Sequence, residues 1–357
     1  MINKSVLFAC AGYGGGIGKM LRFVMGICLN DFGHVSLLHR GRESENDVIP
    51  EGVEEIKIPF NYNRSLPIWR LRQINDIRRE IKRCRPDVVC CFGSEMAVMV
   101  AAATIGLKVK LILAERGDPY TFSKGWARLA RWAFNRADNC VFQLEKQCHW
   151  YGDQVMKKST VIPNAFIPTG EVIPYEGKRK ETIVSVGRFV YEKRYEILIE
   201  AFKIVHERFP QYQLVIYGEG PYQSKYEQMI KMFQLEDAVI FPGYTTNAMG
   251  VIHDASVFVL PSLYEGIPNT LIEALAIGVP TVSTDCTPGG PDFLTDHGRR
   301  GLLVPVNDAA RMAEAICRIL ETPQLSKKLS QLGQEIVPLL EKERIASLWS
   351  EFFRKCL

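Results

Sequence analysis

No apolar run in the 357 residues reaches the eighteen or so needed to cross a bilayer, and mean hydropathy is −0.03. A chain built of membrane spans is excluded. The start, Met1 to Phe8, soon runs into glycine without a convincing apolar core or cleavage site, so no signal peptide is expected. CxxC pairs are absent, as are Asp-x-Asp, HExxH and any other ligand spacing among the six histidines. Metal-dependent chemistry is therefore not expected. Short repeats and low-complexity tracts are missing too. With 47% hydrophobic and 24% charged residues, the composition excludes a disordered, collagenous or coiled-coil molecule. The ten cysteines are scattered without regular pairing, which points to reduced thiols in a cytoplasmic protein rather than a disulfide scaffold. Cys90 and Cys91, adjacent in an apolar stretch, read as buried thiols rather than ligands.

Acidic residues are scarce in one half only. The formal net charge is +4, but residues 1–165 carry 24 Lys and Arg against 16 Asp and Glu, while the remainder is net −4. A basic half joined to an acidic half implies that the first meets something anionic.

What is present is an alternation of short apolar runs with longer amphipathic stretches. Strands are expected at 5–10, 35–38, 87–92, 110–114 and 139–142, with helices near 18–30, 67–84, 95–106 and 124–137. The segment from Val161 to Gly170, with Pro163 and Pro168, interrupts the pattern and marks the best domain boundary. The alternation then restarts, with strands at 182–186, 213–217, 238–241, 257–260 and 281–283. Helices follow near 193–208, 221–234, 270–278, 307–321 and 323–340. The expectation is two Rossmann-like α/β domains, 1–165 and 166–341, facing across a cleft, with a last helix over 342–357 crossing back to the first. Parallel sheets bind ligands beyond the carboxyl ends of their strands.

Three motifs sit at such ends. Gly12-Tyr13-Gly14-Gly15-Gly16-Ile17-Gly18 follows the first strand and opens a helix, where bare backbone N–H groups and the helix dipole can meet an anion or a sugar. A tight turn is the plain reading, and a dinucleotide loop another. An NAD site needs an acid after the second strand, yet His39-Arg40-Gly41-Arg42 has none before Glu43, which leaves only NADP. Gly187-Arg188 with Lys193 follows the first strand of the second half. Arg188 as a fork and Lys193 as a point charge can grip a diphosphate, against surface charge as the plain reading. Finally, Pro261 to Ala274 contains Glu265 and, eight positions on, Glu273. A carboxylate can accept two ribose hydroxyls, whereas Thr270-Leu271-Ile272-Glu273 also reads as a capping box.

Together these motifs resemble the GT-B, family-4 type retaining glycosyltransferases. Glu265 and Glu273 match their Glu-x7-Glu signature, Gly187-Arg188 and Lys193 their diphosphate element, and Gly14, Gly15 and Gly16 their N-terminal loop. Order and spacing agree over essentially the whole chain. The resemblance implies that Arg188 and Lys193 neutralise the departing diphosphate and that Glu273 holds the ribose. It implies that Glu265, with backbone groups of Gly266, Ile267, Pro268 and Asn269, binds the donor sugar. Asn269, Thr270 and Leu271 would offer helix N–H groups to phosphate, and Gly218, Pro242 and Tyr244 fall where the family keeps its nucleoside pocket. No cofactor is implied beyond a nucleotide-sugar donor, with UDP the favoured carrier.

Many members place a His at the strand end that here reads Ala114-Glu115-Arg116-Gly117-Asp118-Pro119. This Glu-Arg-x-x-Pro version resembles a branch that builds bacterial surface polysaccharides, as does the stretch 284–292, although Asp292 stands where Glu is usual. Glu115, Arg116 and Asp118 are acceptor-side candidates, a structural salt bridge being the alternative. Two stretches mix cations with aromatics. Arg64, Arg70, Arg72, Arg78, Arg79, Lys82, Arg83 and Arg85 face an apolar side of Leu66, Ile68, Trp69, Leu71, Ile74, Ile77 and Ile81, and a second basic run spans 122–136. Such helices suit an anionic membrane surface, which fits a lipid-linked glycan acceptor; no nucleic-acid module accompanies them. The leading expectation is a retaining, metal-independent hexose or N-acetylhexosamine transferase, cytoplasmic or peripheral on the inner membrane face. The alternatives are an NADP-dependent oxidoreductase and a GT-B-like nucleotide-sugar epimerase or binding protein.

Overall fold

The protein is seen as a computed structural model that describes residues 2–41, 48–59, 69–168 and 172–357. Arg42, Glu43, Arg64, Leu66, Ile68, Thr169 and Gly170, used above, lie outside the described residues, as do the first two positions of the helix expected over 67–84. The chain divides into two compact units, Met1–Ala165 with Lys342–Leu357, and Phe166–Glu341.

Seven strands build the first unit: β1 (Ile2–Cys10), β2 (Phe32–His39), β3 (Val53–Lys57), β4 (Val88–Phe92), β5 (Lys110–Ala114), β6 (Asn139–Phe142) and β7 (Ser159–Val161). They lie in the order β3-β2-β1-β4-β5-β6-β7, and all neighbours are parallel. A parallel sheet is covered on both faces, so β4, Val-Val-Cys-Cys-Phe, is buried at every position. Burial also raises the thiol pKa of Cys90 and of Cys91, so neither is a ready thiolate. All ten cysteines are free.

The helix Lys342–Cys356 belongs to this unit. It buries Ile345, Trp349, Phe352 and Phe353, the 3.6-residue spacing of a single face. Phe353 meets Phe8 and Phe32 edge-on at 6.3 and 5.5 Å, and Trp349 stacks on Phe92 at 5.8 Å. Each such ring buried is worth about 1.5–3 kcal/mol.

The second unit has β8 (Lys180–Val186), β9 (Gln213–Tyr217), β10 (Val239–Gly243), β11 (Ala255–Leu260), β12 (Thr281–Thr284) and β13 (Leu302–Val304), ordered β10-β9-β8-β11-β12-β13 and parallel throughout. Its helices are patterned in the same way. In Ala309–Glu321, Met312, Ala313, Ile316 and Ile319 are buried, and the Asp308 carboxylate caps the first turn by accepting the Arg311 N–H at 2.9 Å.

In each sheet the order reverses beside its first strand: between β1 and β4, and between β8 and β11. In parallel sheets the loops diverge at such a reversal, which is where ligands are generally bound. Strands β3, β7 and β13 were not expected from the sequence. All three are edge strands, and they are short or partly exposed, so they carry little apolar signal. The helix expected over 323–340 is two, Pro323–Gly333 and Ile336–Leu339. Gly333 packs its backbone against Leu275, and a Cβ there would lie 3.0 Å from the Leu275 carbonyl oxygen. Among the described residues, no helix is long and apolar enough to cross a membrane.

Candidate functional site

At the β8/β11 reversal, two loops bring distant motifs into contact. The loop after β8 carries Gly187 and Arg188 and tightens into a 3₁₀ turn, Tyr191–Lys193, after which Arg194 takes a left-handed conformation to start the helix Tyr195–Arg208. The loop after β11 carries Glu265. It is held to its neighbours at three points: Leu263 N–H donates to the Glu192 carbonyl at 2.8 Å, Glu265 N–H to the Thr287 carbonyl at 2.9 Å, and Thr284 Oγ1 to the Ser262 carbonyl at 2.5 Å. So fixed, the Glu265 carboxylate pairs with the Lys193 ammonium, 72 positions away in sequence. Ser262 Oγ donates to the same carboxylate oxygen at 2.8 Å. Both charged side chains are largely buried, 16% and 15% exposed, so little water screens the pair. Arg188 is the opposite case. Its side chain is 68% exposed and only loosely paired, 3.9 Å from Glu192.

Glycines let the backbones approach at this end. A Cβ on Gly218 would lie 1.9 Å from the Gly187 carbonyl oxygen, and one on Gly290 would lie 1.5 Å from that of Gly266. No side chain fits at either position. Gly218 N–H donates to the Gly243 carbonyl at 2.9 Å, and Glu219 Oε1 accepts the Tyr244 N–H at 3.3 Å, which ties the loops after β9 and β10 together. Tyr244 is itself 67% exposed. Ile267 and Leu271 are buried.

The helix Asn269–Ala276 begins beside Glu265. Pro268 is its N-cap and no side chain caps it. Thr270 is already inside the helix, so the capping box read from Thr270 to Glu273 does not form. Glu273, 6% exposed, is thus not explained as a cap. Asp292, in the first turn of Gly290–Thr295, pairs with His297 at 2.9 Å.

A family model described as glycosyl transferases group 1 matches residues 173–336, and one described as glycosyltransferase family 4 matches residues 30–168. The chain is a GT-B glycosyltransferase with family-4 and group-1 domains. An uncharacterized glycosyltransferase of Haemophilus influenzae is 26% identical over 282 residues, covering 76% of this chain and 78% of the relative. A Campylobacter jejuni relative is 24% identical over 355 residues, covering 98% and 97%; it is an alpha-1,4-N-acetyl-D-galactosaminyltransferase acting on a diNAcBac-PP-undecaprenol glycan. The crystal structure of Anabaena HepE with UDP and glucose superposes with a TM-score of 0.81 at 18% identity, over 99% of this chain and 100% of that one. At that identity, the likeness is one of fold.

The first unit of the transferase carries the remaining candidates. Gly14 is the N-cap of the helix Gly15–Asp31, whose first turn has no acid and no side-chain cap. Arg40, the cation that an NADP phosphate would want, is buried and already bound to Glu95 at 2.9 Å. After β5, Glu115 turns inward. Its Oε1 accepts the N–H groups of Arg116 and Gly117 at 2.9 Å each, and its Oε2 accepts the Tyr151 hydroxyl at 2.7 Å. Burial raises the Glu115 pKa, and these hydrogen bonds pull the other way. Asp118 caps a short 3₁₀ turn by accepting the Tyr120 N–H at 2.9 Å.

Among the described residues, Arg116 donates to neither neighbouring carboxylate. Its guanidinium donates to the Ile162 carbonyl at 3.2 Å and lies 5.2 Å from the ring centroids of both Phe92 and Trp349. Tyr151 and Trp349 thus join the picture from outside the motifs, while Ser262 and Thr287 lie within the stretches 261–274 and 284–292 but were not singled out there.

Proposed function

We propose that this transferase moves a hexose or N-acetylhexosamine from a UDP-sugar to a hydroxyl of a lipid-linked glycan during surface polysaccharide synthesis, with retention and without a metal. One observation carries the reading: the Lys193–Glu265 pair at the β8/β11 reversal. A nucleotide sugar presents a doubly charged diphosphate directly beside a ring of hydroxyls. A fixed ammonium touching a fixed carboxylate is the complementary arrangement, since the cation meets phosphate and the carboxylate accepts hydroxyl protons.

In this mechanism the second unit holds the donor. Arg188, exposed and loosely paired, swings onto the diphosphate beside Lys193. Glu273 accepts the ribose hydroxyls, the start of Asn269–Ala276 faces phosphate, and Tyr244 lies against the base. The bond from the anomeric carbon to the phosphate oxygen breaks, and its electron pair leaves on the diphosphate, whose charge Arg188 and Lys193 offset. The acceptor oxygen attacks on the same face and passes its proton to a phosphate oxygen of the donor, so configuration is kept. The first unit receives the acceptor. Its net positive charge supports a lipid-linked substrate at an anionic membrane surface.

Titrating the protein with UDP, GDP and NADP separates the readings. UDP should bind in the micromolar range, and Glu273→Ala should weaken it about tenfold, the loss of one charged hydrogen bond. NADP binding without a response to UDP would refute the transferase reading, and an unchanged Glu273→Ala would leave that residue a structural one.

A further inference from the structure

Arg116 is 6% exposed, and burial lowers its pKa to about 10, so it remains charged at neutral pH. Yet among the described residues its Nε and Nη2 meet no hydrogen-bond acceptor. Burying a cation with two N–H groups unmet is costly, and an apolar residue would fill the same space at less expense. Something specific therefore keeps the guanidinium there. Its neighbours come from three places in the chain. Phe92 closes β4, Trp349 projects from the helix Lys342–Cys356, and the Ile162 carbonyl opens the segment that leads out of the first unit. The flat cation lies within 6 Å of two aromatic centroids, which satisfies it partly through their π faces. Trp349 and Phe92 also stack on each other.

We infer that Arg116 is a positioning residue that pins the C-terminal helix and the segment beginning at Ile162 to the binding end of the first sheet. The loop Glu115–Asp118 is thereby held in register for the acceptor. Arg116 touches no substrate. It acts through Trp349 and Ile162, while Glu115, tied to Tyr151 and two backbone N–H groups, fixes the loop from its other side. The consequence for the acceptor rests on the function proposed above; the pin itself does not.

Hydrogen exchange on the full chain tests the pin, and steady-state rates test its consequence. In Arg116→Met, amides of 345–356 and 162–166 should exchange about tenfold faster, while the helix Tyr195–Arg208 in the second unit stays unchanged. The UDP dissociation constant should stay within about twofold. Arg116→Lys, which keeps the charge but loses the flat face, should fall between wild type and Arg116→Met, and it serves if Arg116→Met does not fold. Trp349→Phe should stay close to wild type and Trp349→Leu should resemble Arg116→Met. With a membrane lipid extract as acceptor, KM for the extract should rise several-fold at unchanged KM for the UDP-sugar. Unchanged exchange together with a tenfold loss of UDP or inorganic phosphate affinity would show that the Nε–Nη2 edge grips an oxyanion directly, and would overturn the inference. Uniformly faster exchange across the whole first unit would overturn it too, by reducing Arg116 to a general contributor to stability. If exchange responds as expected but no UDP-sugar is used, the pin stands and the proposed function falls.

Discussion

Lys193 and Glu265 show what single residues reveal and hide. Each was readable as a functional candidate from its place after a strand, but neither spacing nor composition said that the two would touch. Their contact depends on the order of strands in the sheet, which places β8 beside β11. Glu273 shows the reverse. Its local sequence fits a capping box, and the tertiary structure starts the helix at Asn269 with Pro268 before it, so the local reading fails. Arg116 was legible as unusual, but its partner Trp349 lies 233 positions away by residue number and carries no signal pointing back to it. If Lys193 and Glu265 act as one unit on the donor, their losses will not add. Lys193→Ala should lower kcat about 10²–10³-fold, the scale of removing one fixed group that stabilises transition-state charge. Glu265→Gln should cost less, and the double variant no more than Lys193→Ala alone. Initial rates with a UDP-sugar check this; independent, multiplying losses would separate the two roles.

Among elements, central strands such as β4 and β11 were legible because burial on both faces makes them continuous apolar runs. Of the four edge strands only β10 was, since Val53–Lys57 turns Glu54 and Glu55 outward and β7 and β13 have three residues each. Both basic stretches form amphipathic helices, although Leu71, expected on the apolar side with Ile77 and Ile81, is exposed, and the structure sorts their cations. Arg79 is paired with Asp76 at 3.1 Å and Arg83 with Glu80 at 2.8 Å, so part of that charge is already met. The Arg83 hydrogen bond accordingly holds the Glu80 carboxyl below its usual range. Other cations have different company. Arg70 lies 5.4 Å from the ring of Trp126 on the helix Lys124–Arg136, linking the two basic helices near their N-termini. Around them Leu71, Leu129 and Trp132 are exposed beside Arg72, Lys124 and Arg128. Cations that meet no carboxylate among the described residues, interleaved with apolar tips, suit an anionic bilayer. Reversing Arg72, Lys124 and Arg128 to Glu should abolish sedimentation with vesicles containing anionic phospholipid, whereas reversing Arg79 and Arg83 should only reduce it. Wild-type binding should weaken as salt rises. Equal sedimentation by wild type and the first variant would remove the surface from the account.

For the whole molecule, the bland +4 conceals a division that the fold gives a location. The basic half, residues 1–165, forms one compact unit with the C-terminal helix, and the rest of the acidic half, residues 166–341, forms the other. The family-4 and group-1 matches fall largely on the first and the second unit respectively. Two parallel sheets, each with its order reversing beside its first strand, provide two binding ends. On our reading, one takes a nucleotide sugar and the other a glycan on lipid. Legibility was high at this scale because two βα alternations separated by a proline-bearing break leave few other architectures. It was low for the sugar and acceptor, because pocket shape rather than motif decides those. The most direct measurement supplies labelled UDP-sugars one at a time with a membrane lipid extract, then follows label into the lipid fraction and determines the linkage by NMR. The account predicts that at least one UDP-hexose or UDP-N-acetylhexosamine labels the lipid with the donor's anomeric configuration kept. Label that stays water-soluble for every donor, or a product of inverted configuration, would contradict it.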